Sequence, residues 1–156
     1  MAKERGATVR FPPPLIFVSA LVTGLLLDRF GRAFAWPVDR ALGVAAGVVF
    51  VALGLSLIAS ARLLFWKTGQ SPMPWKPSPS LIAAGPYRFT RNPMYLGATC
   101  ILLGIGGLTN DAWIDLLAPL ALVIVHVVVV RPEERYLRER FGETYDSYAA
   151  RVRRYL

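Results

Sequence analysis

Two short stretches concentrate polar chemistry in an otherwise apolar chain. GPYRFTRNPMYLG, from Gly85 to Gly97, supplies two arginines, an asparagine and two tyrosines. RPEER, from Arg131 to Arg135, supplies the adjacent carboxylates Glu133 and Glu134. Guanidinium, amide and phenol groups donate hydrogen bonds, and carboxylates accept them and pair cations. Brought together, they would form a polar pocket with donors, acceptors and aromatic faces. The same residues also admit a purely structural reading. Asn92 and Pro93 suit the cap and first position of a helix, and Gly85 and Pro86 suit a turn. Arg88, Arg91 and Tyr95 suit interfacial anchors, and Glu133 and Glu134 complement a helix dipole. Spacing alone leaves both readings open.

The elements that must position these residues are long apolar runs. Apolar residues make up 54% of the 156-residue chain, above the usual level of soluble domains. Four spans are expected, over about 12–30, 41–66, 93–108 and 112–130. The fold class implied is an all-α integral membrane protein: about four transmembrane helices plus short cytoplasmic C-terminal helices, in one domain over 1–156. Only Thr109, Asn110 and Asp111 separate the last two spans, which predicts a tight antiparallel hairpin. Gly43 and Gly47, four apart, allow close helix approach. KTGQSPMPWKPSPSLIAA, from Lys67 to Ala84, holds four prolines and reads as a loop that Trp75 anchors at the interface. Pro132 suits a first helical turn or a kink. Gly142 is expected to divide the charged tail into two short helices. The charged start MAKERGATVR and the apolar run after it do not read as a cleaved signal peptide, because LLLDRFGR stands where a small-residue cleavage site would be.

The net charge of +8 comes from basic residues that flank apolar spans. The positive-inside rule accounts for them better than a nucleic-acid partner does. Lys3, Arg5 and Arg10 precede the first span. Lys67, Lys76, Arg88 and Arg91 lie between spans two and three, and seven arginines follow span four. Both termini and the long loop are therefore expected on the cytoplasmic side, although Arg29, Arg32 and Arg40 between spans one and two weaken the asymmetry. The hairpin then brings Arg91, Asn92 and Tyr95 to the same depth as Glu133 and Glu134. Polar groups there are costly and point to a site.

The ordered set of motifs resembles the isoprenylcysteine carboxyl methyltransferase and phospholipid methyltransferase group, small integral membrane enzymes that use S-adenosylmethionine. The family pattern is a G-x-Y turn, R-[HN]-P-x-Y, two spans, E-E-x-x-L and an F-G-x-x-Y-x-x-Y tail. All of these occur here in order, over about Ser80 to Tyr148. The resemblance implies cofactor contacts from two segments, about 80–96 and 131–148. Tyr87 and the run Asn92, Pro93, Met94 and Tyr95 would line the cofactor pocket. Ser80, Leu81 and Ile82 would lie near the adenine. Glu133, rather than Glu134, would hold the cofactor's amino group, and Arg91 suits its carboxylate. Tyrosine faces suit the sulfonium. Asn92 stands where some members have His, so no titratable group is available there. Arg131 is an offset counterpart of a substrate-side arginine, and Glu134 is the candidate base for an amine acceptor. No metal-ligand spacing is visible.

The acceptor implied is lipophilic and enters from the bilayer: a prenylated thiol or carboxylate, a phospholipid amine, or a small thiol. The competing reading is a non-catalytic membrane scaffold, whose two motifs would point apart without enclosing a pocket. A transporter would call for polar residues along several spans, and only Arg62, His126 and a few hydroxyls qualify. Arg62 is expected to snorkel or project into a cavity. His126 is expected to hydrogen-bond a neighbouring helix, and Cys100 to be a small packing residue.

Overall fold

The computed structural model describes residues 6–9, 11–31 and 33–155. Lys3, Arg5, Arg10 and Arg32, which entered the charge argument, lie outside the described residues. The protein is all-α. Among the described residues, six α-helices run in order: α1 Pro13–Phe30, α2 Arg40–Lys67, α3 Pro93–Thr109, α4 Ala112–Val125, α5 Arg131–Phe141 and α6 Glu143–Arg151. A single 3-10 turn, Gly85–Arg88, precedes α3, and a π-turn, His126–Val130, joins α4 to α5. Three helices are long and apolar enough to cross a membrane: α1, α2 and the continuous helix Ala112–Phe141. The apolar helix α3 is shorter, at 17 residues.

The helices form a row in which α2 packs on α3, α3 on α4, and α4 on α1. Only 11% of the most apolar stretch of α2 is buried. Its exposed side chains include Val48, Val49, Phe50 and Leu53, which is the arrangement of a helix that faces lipid rather than a protein core. The core lies between α1, α3 and α4, around Phe17, Leu102, Ile114, Ala118 and Val125.

Glycine sets the closest contact. A Cβ on Gly47 would stand 2.7 Å from the carbonyl oxygen of Gly104, and one on Gly97 would stand 2.8 Å from that of Gly54. The backbones of α2 and α3 therefore touch, as small residues permit between membrane helices. Their antiparallel register places the end of α2 beside the start of α3.

The hairpin between α3 and α4 turns at Asn110, which takes the left-handed conformation at φ 58°. Asp111 then caps α4, accepting from the backbone N–H groups of Trp113 at 2.9 Å and Ile114 at 3.3 Å. Gly142, at φ 51° and ψ −127°, separates α5 from α6. This conformation strongly disfavours any residue with a side chain.

The fourth apolar helix runs on through Pro132 to Phe141, so the charged segment after the expected span continues the same helix. Pro132 has no N–H and cannot close an ordinary turn. The π-turn just before it, in which Arg131 N–H donates to the His126 carbonyl, absorbs the disruption.

Candidate functional site

The site lies where α2 ends and α3 begins. Residues 6–9 reach this end too: Ala7 N–H donates to the Pro74 carbonyl at 2.7 Å. The loop after α2 folds back over the start of α3. Gln70 donates to Ser80 at 2.8 Å, and Ser78 N–H donates to the Tyr136 hydroxyl of α5 at 3.0 Å. Beneath this loop is a polar cavity of about 90 Å³. The 3-10 turn contributes Tyr87, the first turn of α3 contributes Tyr95, and α5 contributes Glu133 and Glu134.

Of the residues singled out from the sequence, Leu81, Ile82, Tyr87, Arg91, Asn92, Tyr95, Glu133 and Glu134 all line this cavity. Pro93 does not. It is buried at the start of α3 and shapes the turn. Arg131 is exposed and stands outside the lining; it lies two positions before Glu133, on the opposite side of the helix.

Tyr95 donates its hydroxyl proton to Glu133 Oε2 at 3.3 Å. Tyr87 is fixed by its backbone: its carbonyl accepts from the Tyr148 hydroxyl of α6 at 2.8 Å, and its ring meets Phe65 edge-on with centroids 6.1 Å apart. Burial, and then the nearby Glu133 and Tyr148, push the Tyr87 phenol far above the usual tyrosine range. Burial likewise pushes up Tyr148 and Tyr145. These phenols stay protonated near neutral pH; the Tyr148 hydroxyl donates, while that of Tyr145 accepts from Arg91.

Glu134 is not a free base. Arg154 forks onto it, with Nε to Oε1 at 2.9 Å and the terminal nitrogen to Oε2 at 2.8 Å. Arg91 also stands 3.4 Å from Oε1. Both carboxylate oxygens therefore face guanidinium groups, which stabilise the charged form and weaken it as a proton acceptor. Arg91 donates to the Tyr145 hydroxyl at 3.3 Å, while its Nε is buried without a partner.

Asn92 stands at the cap position but does not cap α3 with its side chain. Its amide instead donates to the Arg154 carbonyl at 3.0 Å. The segment after α6 is pinned further by Arg91 N–H on the Arg153 carbonyl at 2.9 Å and by the Thr90 hydroxyl on the Arg154 carbonyl at 3.1 Å. His126 meets this same segment, with Nδ1 3.1 Å from the Tyr155 hydroxyl, rather than a neighbouring spanning helix.

A second, apolar groove of about 430 Å³ adjoins the polar cavity. Phe17 and Val18 of α1 form one side, Ile58 and Arg62 of α2 the other, and α3 from Met94 to Ile105 the floor. Among the described residues, Arg62 is the only charged one in its lining. Met94, Tyr95 and Pro72–Pro74 border both spaces. Among the described residues, no group of three or more His, Cys, Asp or Glu is placed to hold a metal ion.

The profile of the phospholipid methyltransferase family matches residues 40–144, and the chain belongs to this family. It is also similar to the cobalt-zinc-cadmium resistance protein CzcN of Cupriavidus metallidurans, 32% identical over 88% of this chain and 58% of that protein. The nickel-cobalt-cadmium resistance protein NccN of Alcaligenes xylosoxydans xylosoxydans is 31% identical over 48% of this chain and 35% of that protein. The chain thus spans at most about three fifths of these curated relatives. No solved structure matches it.

Proposed function

We propose that the protein is an integral membrane S-adenosylmethionine-dependent methyltransferase acting on a lipophilic acceptor, with its site at the cytoplasmic face. The observation that carries this reading is the meeting of two unlike spaces at Tyr95: a polar cavity ending in Glu133 and an apolar groove along α3. A scaffold would have no reason to turn both motifs into one cavity.

The residues present fit the cofactor. Arg91 keeps a buried, unpartnered Nε beside the cavity, suited to a carboxylate. Glu133 has Tyr95 as its one hydrogen-bond partner among the described residues, leaving acceptor capacity for an ammonium group. Leu81 and Ile82 supply an apolar strip for the adenine, and the faces of Tyr87 and Tyr95 suit a sulfonium. When bound, S-adenosylmethionine supplies an electrophilic methyl group. The protein's own contribution is to orient the partners and exclude water. The cavity of about 90 Å³ is smaller than typical small-molecule sites of roughly 300–1,000 Å³, so on this reading the cavity must widen to admit the cofactor.

The groove suits the acceptor's tail. From Tyr95 to Ile105 its floor runs about 15 Å, at 1.5 Å per residue, roughly half the hydrocarbon core of a bilayer. With Glu134 held by arginines, a carboxylate or thiolate acceptor, which needs no base, suits the site better than a protonated amine.

The test is isothermal titration of S-adenosylhomocysteine into detergent-purified protein with lipid restored, wild type beside Glu133→Ala and Tyr95→Ala. Micromolar binding that both substitutions weaken is expected. Folded wild type that binds nothing would overturn the reading and favour the scaffold.

A further inference from the structure

Arg154 lies outside the lining of the polar cavity, yet it is tied to the site more firmly than several residues that line it. Its carbonyl accepts from Thr90 and Asn92, and its guanidinium forks onto Glu134. Arg91, on the cavity side, reaches the same carboxylate only at 3.4 Å. The two arginines therefore compete for one anion, and Arg154 holds the shorter, bidentate geometry.

We infer that Arg154 is a positioning residue: it neutralises Glu134 from behind the cavity and so leaves Arg91 available to an anionic ligand group. The physical reason is the cost of an unpaired buried carboxylate. The Glu134 side chain is 11% exposed, and a charge so enclosed takes whatever cation is in reach. With Arg154 in place, Arg91 contributes one long contact and keeps its buried Nε free of partners. Without Arg154, Arg91 is the remaining guanidinium in contact with Glu134, and it would rotate into the fork that Arg154 vacates. The site would lose its anion-binding donor although no residue that touches the ligand had changed. The Arg154 side chain is 41% exposed, so the fork is open to the solvent side and can be broken without emptying the core.

This rests on the cofactor reading above, since the anionic group is the carboxylate of the cofactor's amino-acid moiety. Two probes separate the claims. S-adenosylhomocysteine carries that carboxylate, and 5′-methylthioadenosine has the same nucleoside thioether without it. Both are titrated into the full chain in detergent with lipid, for wild type, Arg154→Ala, Glu134→Gln and the double variant. Arg154→Ala should weaken S-adenosylhomocysteine by about tenfold or more, as expected when a charge-assisted pair is lost, and leave methylthioadenosine unchanged. Removing the competing charge as well, in the Glu134→Gln, Arg154→Ala variant, should restore S-adenosylhomocysteine binding to within about threefold of wild type. A merely structural role would weaken both probes and would not be rescued by Glu134→Gln; either result overturns the inference. If Arg154→Ala does not fold, Arg154→Lys, which keeps the charge but not the fork, should show a smaller selective loss with the same rescue, and no loss would overturn it. Wild type that binds neither probe would overturn the cofactor reading itself. Wild type that binds both, with Arg154→Ala indistinguishable from it, would overturn this inference alone.

Discussion

The hydroxyl of Tyr95 donates to Glu133 Oε2 at 3.3 Å, joining the first turn of α3 to α5 across the polar cavity. Tyr95 also borders the apolar groove, so this one pair sits on the boundary between the two spaces. The bond is partly buried, and its two members should not contribute equally. Glu133→Gln removes the charge that an ammonium group would pair, and S-adenosylhomocysteine binding should fall by more than about tenfold. Tyr95→Phe keeps the ring and loses only the hydroxyl, and the fall should be about two- to tenfold, the range of one ordinary hydrogen bond. Titration calorimetry of the two variants checks the order. Equal effects would show that Glu133 acts only through Tyr95.

The apolar groove makes a separable prediction. Val18 is 53% exposed and stands on the α1 side of the groove, so a larger side chain there fills the groove without crowding the core. Val18→Trp should leave S-adenosylhomocysteine affinity within about threefold of wild type and abolish displacement of a fluorescent single-chain lipid. Loss of both activities would place the groove and the cavity in one continuous pocket.

Contact between α2 and α3 depends on the absence of side chains. A Cβ on Gly54 would collide with the backbone carbonyl of Gly97, whereas one on Gly43 would meet the Gly107 carbonyl at 3.4 Å. Gly54→Ala should therefore destabilise the protein by about 1–3 kcal/mol, the usual cost of overpacking, and Gly43→Ala by clearly less. Thermal unfolding in detergent distinguishes them. Because α2 carries Arg62 and Phe65 to the site, Gly54→Ala should also weaken ligand binding.

The buried phenols set an alkaline limit. Tyr87, Tyr145 and Tyr148 all have pKa values raised by burial first. Their protonated forms are favoured in the folded state, so this contribution is fully present below the unfolded tyrosine value of about 10 and is lost as pH rises above it. Stability should be flat in this respect through neutral pH and fall above about pH 10. Tyr148→Phe should reduce the steepness of that fall. Ultraviolet titration of phenolate absorbance, followed beside unfolding, checks it.

Much of this site was legible because its parts are spaced by the chain itself. Long apolar runs announce helices, and a three-residue break announces a hairpin, so the closeness of Tyr95 and Glu133 follows from topology. The two tyrosines of the tail, Tyr145 and Tyr148, were legible only as part of the family's tail pattern; that both are buried against the site is seen in the structure. Arg154 was not legible. The groups that fix its backbone are Thr90 and Asn92, whose partner is a carbonyl oxygen, and every residue carries one. Asn92 beside Pro93 looked like a cap for the same reason: composition shows what a side chain can donate to, not which of many carbonyls it finds. The contact of Gly54 with Gly97 has no sequence signature either, because it lies between two helices, whereas Gly43 and Gly47 share one.

Pro132 offers the last prediction, because it separates stability from site geometry. The helix from Ala112 to Phe141 is continuous, and its π-turn over His126–Val130 ends two residues before the proline. Proline costs a helix interior about 3 kcal/mol relative to alanine, through its missing N–H and its clash with the preceding turn. A π-turn relieves this by widening the helix, and it changes the rotation of everything beyond it. Glu133 and Glu134 follow directly, so their inward direction depends on that widened turn. In Pro132→Ala the N–H returns, an ordinary α-helical turn becomes available, and α5 rotates relative to α4. The variant should unfold at a higher temperature than wild type while binding S-adenosylhomocysteine at least about tenfold more weakly, as a misdirected charge-assisted contact would. Thermal unfolding and titration of the same preparation read both quantities. Higher stability with unchanged binding would mean that packing against α6 and the start of α3, not the π-turn, aims Glu133 into the cavity.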